Sequence, residues 1–283
     1  MTSRLTIESA VAHATRRFVV AGIGAPRREA IHLVADLLDF EPAEFALRRD
    51  EVIEPERRRW VDRGVERRAL GEPLAYVTGL VGFRHLVLRA DSRALIPRPE
   101  TEGLVDRALA LASSGVAVDI GTGTGCLALS LRHEGGYRQV VAVDRSRDAL
   151  RLAEQNARRT GLAVGFACGD WATAIGSGVV DLLVANPPYL SASEYRDLDP
   201  AVRDYEPGVA LVSGDDGLDA TRSGLADGWR VVRAGGVVVM EIATARAEES
   251  AAIARALGWL DVRVDDDIFG RARYLVARRG RAP

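Results

Sequence analysis

The stretch "VAVDIGTGTG" (residues 116–125) decides the fold. An apolar run through Ile120 reads as a buried strand, and glycines at 121, 123 and 125 follow before a helical pattern begins. A strand that turns through glycines into a helix opens a βαβ unit, and open parallel sheets hold their ligands at such turns. The spacing is G-x-G-x-G, which differs from the G-x-G-x-x-G fingerprint for a dinucleotide pyrophosphate. By itself this turn also suits a purely structural role.

Outward from it, the alternation continues. A helix at 104–111 precedes the strand; "VVAVD" (140–144), a helix at 147–160, "AVGFA" (163–167), "VVDLLVA" (179–185) and "GVVVMEI" (236–242) follow. Strands separated by helices of ordinary length predict a parallel sheet, and near-continuous apolar strands predict cover on both faces. The tail "LDVRVDDDIFGRARYLVAR" (260–278) reads as two strands around a turn, closing one edge as a hairpin.

Residues 1–72 read as a small helical domain. Ser3 is the expected cap of a first helix carrying Leu5, Val11, Ala14 and Phe18, and Pro26 opens a second with Ile31, Val34, Leu37 and Leu38 on one face. A third follows Pro55, with Trp60, Val61, Val65 and Ala69 expected to point one way. Residues 73–100 read as a connector: glycines at 79 and 82 between β-leaning runs suggest a hairpin, and "IPRPE" is stiff and extended because proline restrains itself and its predecessor. Residues 101–283 then form the main domain.

Bulk properties exclude several classes. The chain has 283 residues, 47% hydrophobic, with a formal net charge of −2. All 38 basic residues are arginine, and the balance gives no nucleic-acid footprint. Cys126 and Cys168 stand far apart without metal-ligand spacing, which fits a reducing compartment. The opening "MTSRLTIESA" lacks an apolar signal core, and no run reaches the ~18 apolar residues of a membrane span. A cytoplasmic monomer is expected.

Asp144 ends the second strand, where an acid can accept both hydroxyl hydrogens of a ribose. Such charge-assisted bonds contribute roughly 1.5–3 kcal/mol each. After the third strand comes "GDW": Asp170 can accept from a purine's exocyclic amine and Trp171 can stack on its ring. Asp119 can reach the ligand or brace the loop, and both roles stay open. With Gly121, Thr122, Gly123, Thr124 and Gly125, these residues outline a nucleoside site lacking a phosphate-loop lysine or a pyrophosphate fingerprint, which points to S-adenosylmethionine and a methyltransferase.

The fourth strand ends in "NPPY". Pro187 and Pro188 remove two backbone donors while their carbonyls remain, and Pro187 holds Asn186 extended. The corner is rich in acceptors, and its fitting partner is an –NH2 group on an sp² carbon, with Tyr189 as a flat face beside it. Asn186, Pro187 and Tyr189 are therefore the expected catalytic residues, and Asn186 through Tyr189 the expected substrate-binding turn. Asn186 is placed beside the cofactor as well.

In order and spacing, "GEPLAYVTG" (71–79), "LIPRPETE" (95–102), "DIGTGTG" (119–125), "NPPY" (186–189), "YEPGVAL" (205–211) and "GDDGLD" (214–219) resemble the HemK/PrmC family. These are methyltransferases that modify the side-chain nitrogen (N5) of a glutamine in peptide-chain release factors. The resemblance implies a Rossmann-like, class I methyltransferase sheet of seven strands with an antiparallel edge hairpin, and a helical domain that grips the release factor and its Gly-Gly-Gln loop. It implies S-adenosylmethionine bound by the glycine turn, Asp144 and Trp171, with S-adenosylhomocysteine as product, and the glutamine amide held by Asn186 to Tyr189. One departure stands out: many members carry glycine and glutamine after the fifth strand's "EI", where this chain has "EIATARAEE" (241–249). Two other readings share the N-P-P-Y logic: a paralogue methylating a different protein or a small-molecule amide, and a methyltransferase of amino groups, such as adenine N6, in nucleic acids.

Overall fold

A computed structural model of the chain describes residues 5–280. The described residues fall into two compact units, 5–80 with 199–205, and 81–198 with 206–280.

The first unit is helical. Helix α1 (Ile7–Val20) starts with a reciprocal capping box: Thr6 Oγ1 accepts from the Ser9 N–H at 3.3 Å, and Ser9 Oγ accepts from the Thr6 N–H at 2.9 Å. Thr6 therefore caps the helix; Ser3 lies outside the described residues. Helices α2 (Pro26–Leu38), α3 (Phe45–Arg48), α4 (Pro55–Ala69) and α5 (Leu74–Thr78) follow. Phe18, Leu33, Val34, Val61 and Val65 make the core. Trp60 departs from expectation: it is 54% exposed, because Val61, Gly64 and Val65 form the inward stripe of α4 and Trp60 lies about a quarter-turn away. Segment 74–78 also differs, being a helical turn. Pro73 starts it at the N-cap, and Gly79, at φ 76°, stops it in the left-handed region.

The hairpin lies just beyond. Strands β1 (Leu80–Phe83) and β2 (Leu86–Arg89) meet at Arg84, whose left-handed φ of 51° is held by its own contacts. The Arg84 N–H donates to Glu102 Oε1 at 3.0 Å, and its guanidinium pairs with Glu134 and Asp106. Of the stiff connector, Pro99 already belongs to helix α6 (Pro99–Leu111), since the first helical position needs no N–H.

The second unit carries the sheet. Strand β3 (Ser114–Ile120), α7 (Cys126–Glu134), β4 (Gly136–Asp144), α8 (Arg147–Thr160) and β5 (Gly165–Cys168) run to one edge. The chain returns through β6 (Val180–Ala185) and the short α9 (Ala192–Arg196), passes through α10 (Pro200–Arg203) of the first unit, and continues with α11 (Asp219–Val231), β7 (Val232–Glu241) and α12 (Ala247–Ala256). Strands β8 (Trp259–Asp266) and β9 (Ala272–Arg279) form the antiparallel edge hairpin. The order is β5-β4-β3-β6-β7-β9-β8, seven strands as expected. One apolar cluster covers each face, with Leu182 and Val184 in the first and Leu183 and Ala185 in the second.

The order reverses between β3 and β6, the crevice where doubly wound sheets bind ligands. Register makes this crevice level. Ile120 pairs with Val143 on one side and Ala185 on the other, so Gly121, Asp144 and Asn186 leave the sheet together.

Candidate active site

At that crevice the second unit holds a cavity of about 230 Å³. The turn after β3 forms one wall. The Gly121 and Thr122 N–H groups donate to the Val143 carbonyl at 2.9 and 3.0 Å, and the Gly125 N–H closes the turn on the Thr122 carbonyl at 2.8 Å. All three glycines have positive φ. At Gly125 a side chain would also meet Ala153 Cβ at 3.2 Å, so glycine there lets α8 pack against the turn.

Asp119 does not line the cavity, although the sequence left a ligand contact open for it. It is fully buried beneath the turn, where Oδ2 accepts from Thr122 Oγ1 at 2.6 Å and from the Ala128 N–H at 3.2 Å. Its role here is bracing. Burial pushes its carboxyl up to about 7, and its Oδ1 has no hydrogen-bond partner among the described residues.

Asp144 does line the cavity. Its Oδ1 accepts from the Ser146 N–H at 2.8 Å and its Oδ2 from the Gly123 N–H at 3.0 Å. Each oxygen keeps lone-pair capacity for a ligand hydroxyl. Burial raises this carboxyl, and the two N–H groups oppose the rise. Asp170 and Trp171 line the cavity too. Trp171 sits at φ 51° with the edge of its ring toward Gly224 of α11, where a Cβ would lie 3.1 Å from Cζ3; the ring is part of the core as well as of the cavity wall.

Asn186, Pro187 and Pro188 line the cavity with the glycine turn. Asn186 Nδ2 donates to Thr101 Oγ1 at 3.0 Å, and Thr101 Oγ1 donates to Glu241 Oε2 at 2.8 Å. Asn186 Oδ1 accepts no hydrogen bond among the described residues, so this oxygen is the part of the amide open to a ligand. Tyr189, expected as a flat face for substrate, does not line the cavity. Its hydroxyl donates to Glu241 Oε1 at 3.4 Å. Burial and the Glu241 charge push its hydroxyl up to about 12.

Sequence reasoning missed Thr101, Glu241 and Glu206. Glu241 is 2% exposed, with its carboxyl raised by burial and drawn back by the Thr101 hydroxyl and the nearby Arg273. The signal for it existed: like Asp144 and Asn186, it is a polar residue ending an apolar strand. Glu206, 5% exposed, accepts from the Ile96 N–H at 3.1 Å and pairs with Arg98 at 2.5 Å. It fastens the "IPRP" segment, from which Ile96 and Pro97 line the cavity, to the loop that supplies Pro207 and Val209. Arg246, within the departing "EIATARAEE", donates to the Tyr189 carbonyl at 3.4 Å and to Glu194 Oε2 at 2.8 Å.

The donor set fits S-adenosylmethionine. The cavity is bounded by a glycine turn open to a close-lying ligand, an acid for ribose hydroxyls, and apolar walls from Ile96, Ile120, Leu127 and Ala149. No group of three or more His, Cys, Asp or Glu among the described residues could hold a metal ion.

Comparison with known proteins adds three findings. Residues 9–79 match the model of the PrmC N-terminal domain, and residues 101–198 match that of the methyltransferase small domain. Relatives named release factor glutamine methyltransferase are found in Nitratidesulfovibrio vulgaris (38% identical, covering 98% of this chain and 97% of the relative) and in Deinococcus radiodurans (38% identical, 97% and 99%). A solved methyltransferase from Pyrococcus furiosus shares the fold at a TM-score of 0.54, with 19% identity over 69% of this chain and 89% of its own.

Proposed function

This chain belongs to the release factor glutamine methyltransferase family, and from that premise we propose that it methylates the side-chain amide nitrogen of the glutamine in the Gly-Gly-Gln loop of peptide-chain release factors. The observation that carries the reading is the level exit of Gly121, Asp144 and Asn186 from adjacent strands into one cavity, with Asn186 Oδ1 open. S-adenosylmethionine supplies a methyl group on a sulfonium, whose carbon–sulfur bond breaks with its electrons going to sulfur to leave S-adenosylhomocysteine.

The residues around it have distinct tasks. Asp144 accepts from the ribose hydroxyls, and Asp170 and Trp171 flank the purine. Asn186 Oδ1 and the Pro187 carbonyl take the two hydrogens of the glutamine –NH2, and Pro188 adds rigidity because it has no N–H to offer. An amide nitrogen is a weak nucleophile since its lone pair is delocalised into its carbonyl. Two acceptors on its hydrogens raise its electron density and orient it toward the methyl, and such positioning supplies up to ~7–11 kcal/mol of a barrier. The nitrogen turns acidic once methylated, and the proton leaves then, so no strong base is needed. His13, His32, His85 and His133 stand outside this cavity.

In this reading the N-terminal helical unit recognises the release factor and the chain works as a monomer in the cytoplasm. Both cysteines are free, as a reducing compartment would keep them. The test is incubation with purified release factor and methyl-labelled S-adenosylmethionine, followed by mass spectrometry of the labelled peptide. Label on the Gly-Gly-Gln glutamine is expected; an unlabelled release factor beside another labelled acceptor overturns the assignment.

A further inference from the structure

We infer that Glu241 is a positioning residue that, acting through Thr101, decides which atom of the Asn186 carboxamide faces the substrate. The inference rests on the reading that Asn186 receives the glutamine –NH2, and it adds the device that keeps Asn186 an acceptor. Amide oxygen and nitrogen are nearly equal in size, so a half-turn of the side chain exchanges them with little steric consequence. Something must break that tie.

The donor sequence breaks it in one sense only. Glu241, as a carboxylate, can only accept. Thr101 Oγ1 is 2.8 Å from Glu241 Oε2, and the hydroxyl has a single hydrogen, which goes to that oxygen. Toward Asn186, 3.0 Å away, Thr101 is left with lone pairs alone, so the amide must turn Nδ2 to it and leave Oδ1 for the ligand. The reverse orientation would set two N–H groups against the N–H groups of the substrate. The second carboxylate oxygen accepts from Tyr189 in the same N-P-P-Y turn, so one acid holds the turn at both its first and last residues. Thr101 and Glu241 are 1% and 2% exposed, which keeps water from replacing either partner.

The test compares Glu241→Gln, Thr101→Val and Thr101→Ser in the full chain. Glutamine can give Thr101 an N–H, which frees the threonine hydrogen to meet a flipped Asn186 Oδ1. Methyl transfer to the release factor is expected to lose about 30-fold or more in kcat in Glu241→Gln and in Thr101→Val, the scale of one preorganised contact, with the S-adenosylmethionine Kd within about twofold of wild type. Thr101→Ser, which restores the hydroxyl, is expected to recover about tenfold or more of the valine loss. A readout independent of activity is the nuclear Overhauser contact between the Asn186 side-chain NH2 and the Thr101 methyl in the free chain, present in wild type and lost in Glu241→Gln. If Glu241→Gln does not fold, Thr101→Val and its serine rescue carry the test. A Glu241→Gln enzyme within about threefold of wild-type kcat, or an unchanged Overhauser contact in it, overturns the inference. A wild type that shows the contact but leaves the release factor unmethylated overturns the functional reading and supports the orientation.

Discussion

Asp144 Oδ2 accepts a hydrogen bond from the Gly123 N–H at 3.0 Å, so the acid at the tip of β4 and the glycine turn after β3 are tied into one unit. The same carboxylate that is proposed to receive the ribose thus also shapes the loop beneath it. Replacing it acts twice.

Asp144→Asn is therefore expected to raise the Kd for S-adenosylmethionine by about 10–100-fold, the equivalent of roughly 1.5–3 kcal/mol for charge-assisted bonds. Isothermal titration calorimetry checks it. A Kd within about twofold of wild type would remove Asp144 from the cofactor site.

Asn186→Ala is expected to lower kcat by on the order of 10²-fold or more while S-adenosylmethionine binding stays near wild type, because the lost contact acts on the acceptor amide. Single-turnover methylation of the release factor measures this. Near-normal turnover would mean that the N-P-P-Y turn does not hold the glutamine.

Arg246, in the "EIATARAEE" stretch after β7, ties the Tyr189 carbonyl to Glu194, on the chain just past the N-P-P-Y turn. Arg246→Ala is expected to lower kcat about tenfold through loosened placement, since small misplacements cost up to 10²-fold. Equal kcat in the two proteins would show that the turn is rigid without this clamp.

Glu206→Ala leaves the Ile96 N–H without its carboxylate partner. A buried donor left unpaired costs about 1–3 kcal/mol, so unfolding in urea is expected at lower denaturant by that amount. An unchanged midpoint would mean that the connector does not depend on this bond.

The pH dependence has a definite sign. Asp119 is pushed up to about 7, and Asp144 and Glu241 are also raised by burial, so the folded state binds these protons more tightly than the unfolded chain. The contribution of Asp119 to the stability of the ligand-free protein therefore falls as pH rises from about 4 toward 7 and levels above that, and those of Asp144 and Glu241 change with the same sign. Glu194, lowered to about 2 chiefly by its hydrogen bond from Arg246, acts in the other window: its contribution is present above the ordinary glutamate range and lost as pH drops toward 2. Melting temperature against pH is expected to show a shallower decline in Asp119→Asn than in wild type. Parallel curves would mean that Asp119 ionises normally in the fold.

Much of this protein was readable before any coordinates. Apolar runs of strand length separated by helical spacing specified a parallel sheet covered on both faces, since such burial demands near-continuous apolar residues, and the family resemblance supplied the count of seven strands. Local chemistry likewise placed the glycine turn, the Asp144 tip and the proline corner, because each depends on backbone restraint or on a single side chain at a strand end. The run before Gly79 was harder to read: its β-leaning residues follow Pro73, which can start a helical turn, and 74–78 became helix. Trp60 misled because apolar character alone does not say which side of a helix finds a partner.

Tertiary structure alone decided the direction of each side chain and its distant partners. Asp119 went beneath the turn, and the Tyr189 hydroxyl found a carboxylate that lies 52 residues on in the chain. Thr101 and Glu241 met across 140 residues to orient Asn186. Hydrogen bonds between residues so far apart leave no periodic trace in the chain; they exist only once the sheet has brought its strand ends level.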